Sequence, residues 1–393
     1  MEMLSLYLHI PFCQRRCGYC DFVTYAGQDD LISFYLDALT DEIKFYGKRT
    51  SQAQTGHLHT IYFGGGTPSL LTVRQFERLI GVIKQNFEIT DNCEVTIEAN
   101  PGTIYRDYLE GIRTLGVNRI SLGVQSAVAE ELAVLDRLHG FSEVQKGIAA
   151  VREAGFMNLS LDLIFGIPGQ SVKSWMESLQ AAISFQPEHL SLYSLTVEPG
   201  TPLERKVKAG VVEAPDEDLA ADMYDLARKK LGGLGYQHYE ISNWGLFRDG
   251  RALVSRHNQQ YWRNLPYLGV GAGAHGFFGG KRYGNEPSLV AYIHKLGSNA
   301  DSETSPVVVQ QEKISREREM NETLMMGLRL LQEGVSADIF AERFGEQLVD
   351  IFGQKIDRYI KLGLLEWANG EMKAIRLTPR GYLLGNQVFS AFV

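Results

Sequence analysis

Six short apolar runs alternate with five amphipathic ones between residues 4 and 197, and this alternation constrains the fold more than any other feature. The runs at 4–10, 58–64, 93–99, 119–125, 159–168 and 189–197 carry the aliphatic, β-branched and period-two signature of strands. Between them, 29–46, 72–87, 104–116, 142–155 and 171–185 repeat apolar residues at helical spacing. Parallel strands need long crossovers, so strand–helix units in series imply an α/β fold with a parallel sheet and helices outside it. Six strands fall short of a closed barrel, which predicts a curled, partial (β/α)6 barrel with its chemistry at the C-terminal strand ends.

Beyond Pro199 the pattern changes. Residues 218–235 read as a helix and 236–280 as a glycine- and aromatic-rich region. The polar stretch 298–311 predicts a loop, after which the chain turns helical and ends in IRLTPRGYLLGN, a small strand and helix end of winged-helix type. These shifts divide the chain into a core at 1–200, a barrel-associated region at 201–300 and a mostly helical, winged-helix-like domain at 301–393. A winged helix raises the question of DNA. Residues 316–393 hold ten Lys/Arg against eleven Asp/Glu, and the whole chain carries a net charge of -8. Phosphate binding leans on a basic surface, so nucleic acid is not expected as a partner.

No apolar run is long enough to span a membrane. MEMLSLYLHI lacks the basic region and cleavage site of a signal peptide, so the chemistry is expected to begin almost at Met1. Four unevenly spaced cysteines do not make a disulfide framework, and a reducing cytoplasm fits them better. Three of the four fall in CQRRCGYC, residues 13–20. Thiolates from Cys13, Cys17 and Cys20 could each hold one iron of a [4Fe–4S] cluster and leave the remaining iron open. A zinc site completed by a histidine such as His9 is the alternative on these residues alone. Cys93 begins a strand and reads as a small buried hydrophobe.

CxxxCxxC after the first strand of a partial β/α barrel resembles the radical S-adenosylmethionine (SAM) superfamily. That resemblance implies that the open iron binds the amino and carboxylate groups of SAM, and that the reduced cluster can cleave SAM to a 5′-deoxyadenosyl radical. Over residues 4–280, YLHIPFC, YFGGGTPSLL, TIEANPG, SLGVQS, LDRLHG and DLIFGIPGQS together are similar to the oxygen-independent coproporphyrinogen oxidase-like family. This implies a SAM site lined by Tyr7, Tyr19, Gly65, Gly66, Thr67, Glu98, Gln125, Arg137 and Asp162, the last three matching positions that bind SAM in the family, including a second SAM in the true oxidases. The residue chemistry is compatible. Gly64, Gly65 and Gly66 follow a strand, where exposed N–H groups can meet a ligand. Glu98 can accept from a ribose or an ammonium, Arg137 can clasp a carboxylate, and Asp162 can hold an ammonium. Read singly, the glycines also suit a tight turn, the polar groups a structural hydrogen bond, and the tyrosines packing.

Two features depart from the true oxidases. Phe22 stands where they carry a further cysteine, and only six residues precede Tyr7, where they have a longer segment. HNQQYW instead resembles the HNxxYW marker of the family's heme chaperone branch, which implies heme binding through His257, Asn258, Tyr261 and Trp262. An imidazole can ligate iron axially and flat aromatic faces suit a macrocycle, although the same residues suit a packed aromatic cluster. His275 in GAGAH is a second imidazole, with a hydrogen-bonded loop histidine as its plainer reading. Met325 and Met326 read as helical core. The segment at 244–255 is longer than is common in the family and GAGAH replaces GPGAH, so local differences are expected there.

The resemblance therefore implies a cytoplasmic heme chaperone with a [4Fe–4S] cluster and SAM, delivering heme to haem-requiring respiratory proteins, with peripheral membrane association through that acceptor. Monomer and dimer stay open. No residue is assigned a catalytic role, and oxidase activity is not expected despite the intact core. Radical decarboxylation of coproporphyrinogen III, or a related radical methyltransferase or cyclase reaction, are the competing readings.

Overall fold

All six expected strands form: β1 (Met3–Ile10), β2 (His57–Gly65), β3 (Glu88–Ala99), β4 (Arg119–Gln125), β5 (Leu159–Phe165) and β6 (His189–Ser194). In the computed structural model, which describes residues 3–52, 57–295, 304–368 and 373–393, they lie side by side in chain order, each parallel to the next. The helices between them are α1 (Ile32–Gln52), α2 (Val73–Asn86), α3 (Arg106–Thr114), α4 (Ala129–Val134), α5 (Phe141–Glu153) and α6 (Val172–Ser184). Their starts are written locally. Thr72 and Gln75 form a reciprocal capping box at α2, which then buries Phe76, Leu79, Ile80 and Ile83 on one face. The short α4 offers too few turns for a periodic signal, and the sequence does not announce it.

The chain divides into two compact units, one reaching to Lys229 and taking in Pro266–Glu312, the other made of Lys230–Leu265 with Lys313–Val393. In the first, the sheet extends past the six expected strands. Tyr267–Val270 runs parallel to β1, with Ser5 opposite Tyr267, and an antiparallel hairpin of His275–Phe278 and Lys281–Asn285 follows. Gly269 is required there, because a Cβ would collide with the carbonyl of His275. The expected loop at 298–311 is corrected in part. Val308–Lys313 is a strand, begun by the β-branched Val308 and Val309, whereas 298–303 lie outside the described residues.

The second unit pairs Tyr236–Glu240 with Asn243–Arg248 and carries the helix Arg256–Trp262. It also holds the helices Arg316–Gly327, Ala337–Phe344 and Leu348–Lys361 and a three-stranded antiparallel sheet of Val335–Ser336, Ala374–Leu377 and Leu365–Ala368. Leu324, Phe340, Phe352, Ile356, Ile375 and Phe392 fill its core, and Met325 packs against them as expected of a core residue. Among the described residues no helix is long and apolar enough to cross a membrane.

Candidate functional site

The cysteine loop leaves β1 and returns to the same place. Phe12 pairs with Tyr25 and Cys13 with Ala26, so residues 14–24 project as a closed excursion. Cys13 is buried, Cys17 and Cys20 are half-buried, and all are free thiols. Gly18 seats the loop: its N–H donates to Leu135 O at 3.3 Å, its carbonyl accepts from Leu203 N at 2.8 Å, and a Cβ would collide with the Asp136 carboxylate. Asp136 in turn pairs with Lys206 at 2.9 Å. The cysteine excursion is thus clamped against the LDRLHG turn.

Each sulfur faces a donor of a different kind. Thr67 Oγ1 lies 3.6 Å from Cys13 Sγ, Arg137 Nη1 lies 3.5 Å from Cys17 Sγ, and the Phe22 backbone N–H faces Cys20. Burial, with a smaller push from the other two cysteines, raises the Cys13 thiol to about 11, so a thiolate at Cys13 calls for added positive charge. Bound iron supplies that charge, and donors aimed at sulfur suit thiolate ligands. The residues present fit an iron–sulfur cluster. Among the described residues no three His, Cys, Asp or Glu side chains converge on a single metal ion, whereas the thiolates of a cluster each bind a different iron. The zinc alternative with His9 is corrected: His9 Nδ1 is bonded to Tyr7 OH at 3.0 Å and Nε2 to Val23 O at 2.7 Å.

The glycine run at the end of β2 lies against this loop. Its N–H groups were expected to face a ligand, and here the structure differs. Gly65 N donates to Glu98 Oε2 at 3.0 Å, Gly66 N to Ile10 O at 2.8 Å and Thr67 N to Phe12 O at 2.8 Å. The glycines are there for close approach. Gly65 has φ +117°, and its Cβ would stand 2.6 Å from the His9 ring; a Cβ on Gly66 would stand 2.6 Å from Phe12 O and 2.9 Å from Cys13 Sγ. Glu98 also accepts from Tyr62 OH at 2.8 Å, and burial raises its carboxyl to about 7. The Tyr7 and Tyr62 rings stack beside it at 6.1 Å.

Gln125 ends β4 at φ +66°, and its buried Oε1 has no partner among the described residues. Arg137 Nη2 donates to Gly123 O at 3.1 Å, next to Gln125. Tyr19, raised to about 12 by burial, sits among Arg137, Cys17, Cys20 and Asp162. Asp162 itself lies within β5 rather than at its end, where Ser121 and Ser160 donate to its carboxylate at 2.9 and 3.1 Å. The sequence reading placed every such group at a strand end, and Asp162 corrects it.

Two residues escaped sequence reasoning. Asn100 Nδ2 donates to Thr67 Oγ1 at 3.0 Å; the Asn-Pro turn directly after Glu98 was the available signal. Glu42, on α1, is fully buried and accepts from Gly271 N at 2.8 Å, Asn285 Nδ2 at 2.8 Å and Tyr292 OH at 2.5 Å. It holds the GAGAH turn against the end of β1, where Tyr35 OH donates to His9 O at 2.6 Å and accepts from Ala272 N at 3.1 Å. His275 is exposed on the following strand.

In the second unit, Ser255 caps the helix Arg256–Trp262 by accepting from Asn258 N. His257 is 1% exposed, and its Nε2 is bonded to Tyr261 OH at 2.8 Å with the rings edge-to-face. Arg329 lies over Trp262 at 5.1 Å, and the buried indole Nε1 has no partner among the described residues. HNQQYW is therefore a closed cluster here, with the His257 imidazole turned inward.

Known proteins resemble this chain along its whole length. The Radical SAM superfamily matches residues 7–182 and the HemN C-terminal domain matches residues 314–384. The class is radical SAM, whose members pair a [4Fe–4S] cluster with SAM. Coproporphyrinogen III oxidase (HemN) from Escherichia coli, solved as a radical SAM enzyme, shares the fold at a TM-score of 0.83 and 23% identity, covering 100% of this chain and 90% of its own. Heme chaperone HemW of Bacillus subtilis (strain 168) is 37% identical over 100% of this chain and 99% of its own. That of Lactococcus lactis subsp. lactis (strain IL1403) is 34% identical over 99% and 97%. The chain belongs to the HemW family of radical SAM proteins.

Proposed function

We propose that this chain is a heme chaperone in which Cys13, Cys17 and Cys20 hold a [4Fe–4S] cluster and the ends of β1–β4 hold SAM. The observation that carries the reading is end-to-end similarity, 37% identity over 100% of the chain, to a protein named heme chaperone. Tyr7, Tyr19, Gly65, Gly66, Thr67, Glu98, Gln125 and Arg137 gather around the cysteine loop and the glycine run, with Asp162 deeper in the barrel facing Tyr19. When bound, the cluster supplies an electron to SAM; the protein's own part is to seat the thiolates and to aim a hydroxyl, a guanidinium and an amide at them. Phe22 is 63% exposed beside Cys20, an apolar side chain with no ligand chemistry where the oxidases are expected to place a further cysteine.

Heme is the cargo. His257 offers the iron ligand, Tyr261 and Trp262 the flat faces, and Asn258 a polar edge. Since His257 Nε2 is engaged by Tyr261, loading requires that hydrogen bond to open. Transfer to haem-requiring respiratory proteins, in the cytoplasm or at a membrane through the acceptor, completes the reading.

The test is anaerobic reconstitution, followed by heme in one arm and coproporphyrinogen III with SAM and dithionite in the other. Heme should bind to the wild type and bind weakly or not at all to His257→Ala, and coproporphyrinogen III should remain undecarboxylated. Multiple-turnover formation of protoporphyrinogen would overturn the chaperone reading.

A further inference from the structure

We propose that Asn100 and Thr67 form a hydrogen-bond relay onto the Cys13 sulfur that sets the reduction potential of the cluster, a role separate from contacting SAM. The proposal rests on the assignment of the cluster to Cys13, Cys17 and Cys20. Thr67 is 3% exposed, so its hydroxyl is not offered to a ligand at the surface of the site. Its direction is fixed by proton counting. Asn100 Nδ2 can only donate, so at 3.0 Å it occupies a lone pair of Thr67 Oγ1 and leaves the single hydroxyl proton for Cys13 Sγ at 3.6 Å.

The relay is held from both ends. Thr67 N is bonded to Phe12 O at 2.8 Å, one residue before Cys13. Asn100 is braced by Thr103 Oγ1, which donates to its carbonyl at 2.8 Å, and by Ser69 Oγ, which accepts from its N–H at 3.4 Å. Such bracing fixes the donor before any change in cluster charge. A donor to a ligating sulfur disperses negative charge and favours the reduced cluster, which carries one more electron, so it raises the potential. Asn100 polarises Thr67 and strengthens that effect.

The experiment is a dye-mediated dithionite titration of the one-electron couple, followed by electron paramagnetic resonance, with iron and sulfide assayed on each sample and SAM omitted. Thr67→Val should shift the midpoint to lower potential, Asn100→Ala should shift it in the same direction by less, and Thr67→Ser should stay with the wild type. A wild-type midpoint in Thr67→Val at full iron content would overturn the proposal, as would a shift seen only once SAM is added. Should Thr67→Val lose iron, Asn100→Ala decides alone, because it leaves the Thr67 N–H contact to Phe12 in place; an unshifted midpoint there refutes the relay. Wild-type protein that binds no iron would fail the underlying assignment instead, and the iron assay separates the two failures.

Discussion

Arg137 Nη1 donates to Cys17 Sγ across 3.5 Å, while its Nη2 donates to Gly123 O at 3.1 Å. One guanidinium thereby ties the cysteine loop to the fourth strand of the barrel and sets a fixed cation against one thiolate. The cysteine loop is positioned by the LDRLHG turn as much as by its own sequence.

Replacing Cys13, Cys17 and Cys20 together by Ser should abolish the visible absorbance and the iron content of anaerobically purified protein. Cys93→Ser should leave both unchanged, since Cys93 is buried on β3 with its thiol directed at Glu94 O. Iron and sulfide assays check both outcomes.

Gly66→Ala and Glu98→Ala should fail in different ways. The added methyl of the first would stand 2.9 Å from Cys13 Sγ and 2.6 Å from the Phe12 carbonyl, so iron content should drop. The second leaves the cysteines alone and removes the carboxylate that accepts from Gly65 N and Tyr62 OH, so iron should stay while the SAM-induced change in the paramagnetic spectrum is lost.

Tyr261→Phe and His257→Ala should move heme binding in opposite directions. The first removes the hydroxyl bonded to His257 Nε2, a contact that loading has to open; a buried hydrogen bond is worth about 1 kcal/mol, so affinity should rise roughly fivefold. The second removes the imidazole proposed as the iron ligand, so affinity should fall. Heme titrations followed by absorbance decide between the two signs.

Stability should fall as pH rises through about 7, in part through Glu42. Burial, opposed by donors from Tyr292, Gly271 and Asn285, raises its carboxyl from the usual 4.5 to about 7. The folded state therefore holds a proton between those values that the unfolded state has released. The stabilisation is complete below 4.5 and is lost as pH climbs past 7. Thermal unfolding at pH 6 and pH 8 should show it. Glu42→Leu should remove its share of this dependence and cost about 3 kcal/mol or more through three stranded buried donors.

The barrel was legible because each strand and each crossover carries its own periodicity, as α2 does with Phe76, Leu79, Ile80 and Ile83. The cysteines were legible because their spacing is local. Tyr267–Val270 was not, because four residues between Pro266 and Gly271 give no period, and its place beside β1 depends on a partner more than two hundred positions away. Glu42 was hidden for a similar reason: on α1 it looks like any helical carboxylate, and only its burial against Gly271 and Asn285 gives it a task. The inward turn of His257 shows in its burial and its bond to Tyr261, which no residue pattern encodes.

The pairing of Ser5 with Tyr267 also fixes an order of events during synthesis. β1 emerges early, yet its second neighbour is translated 262 residues later. At a synthesis pace of roughly 5–20 residues per second, that edge stays bare for tens of seconds. The GAGAH turn that braces His9 through Tyr35 arrives only then, with about two thirds of the chain made. A nascent chain stalled before residue 267 would hold its cysteines in an unfinished cradle and present a naked edge to its neighbours on the polysome.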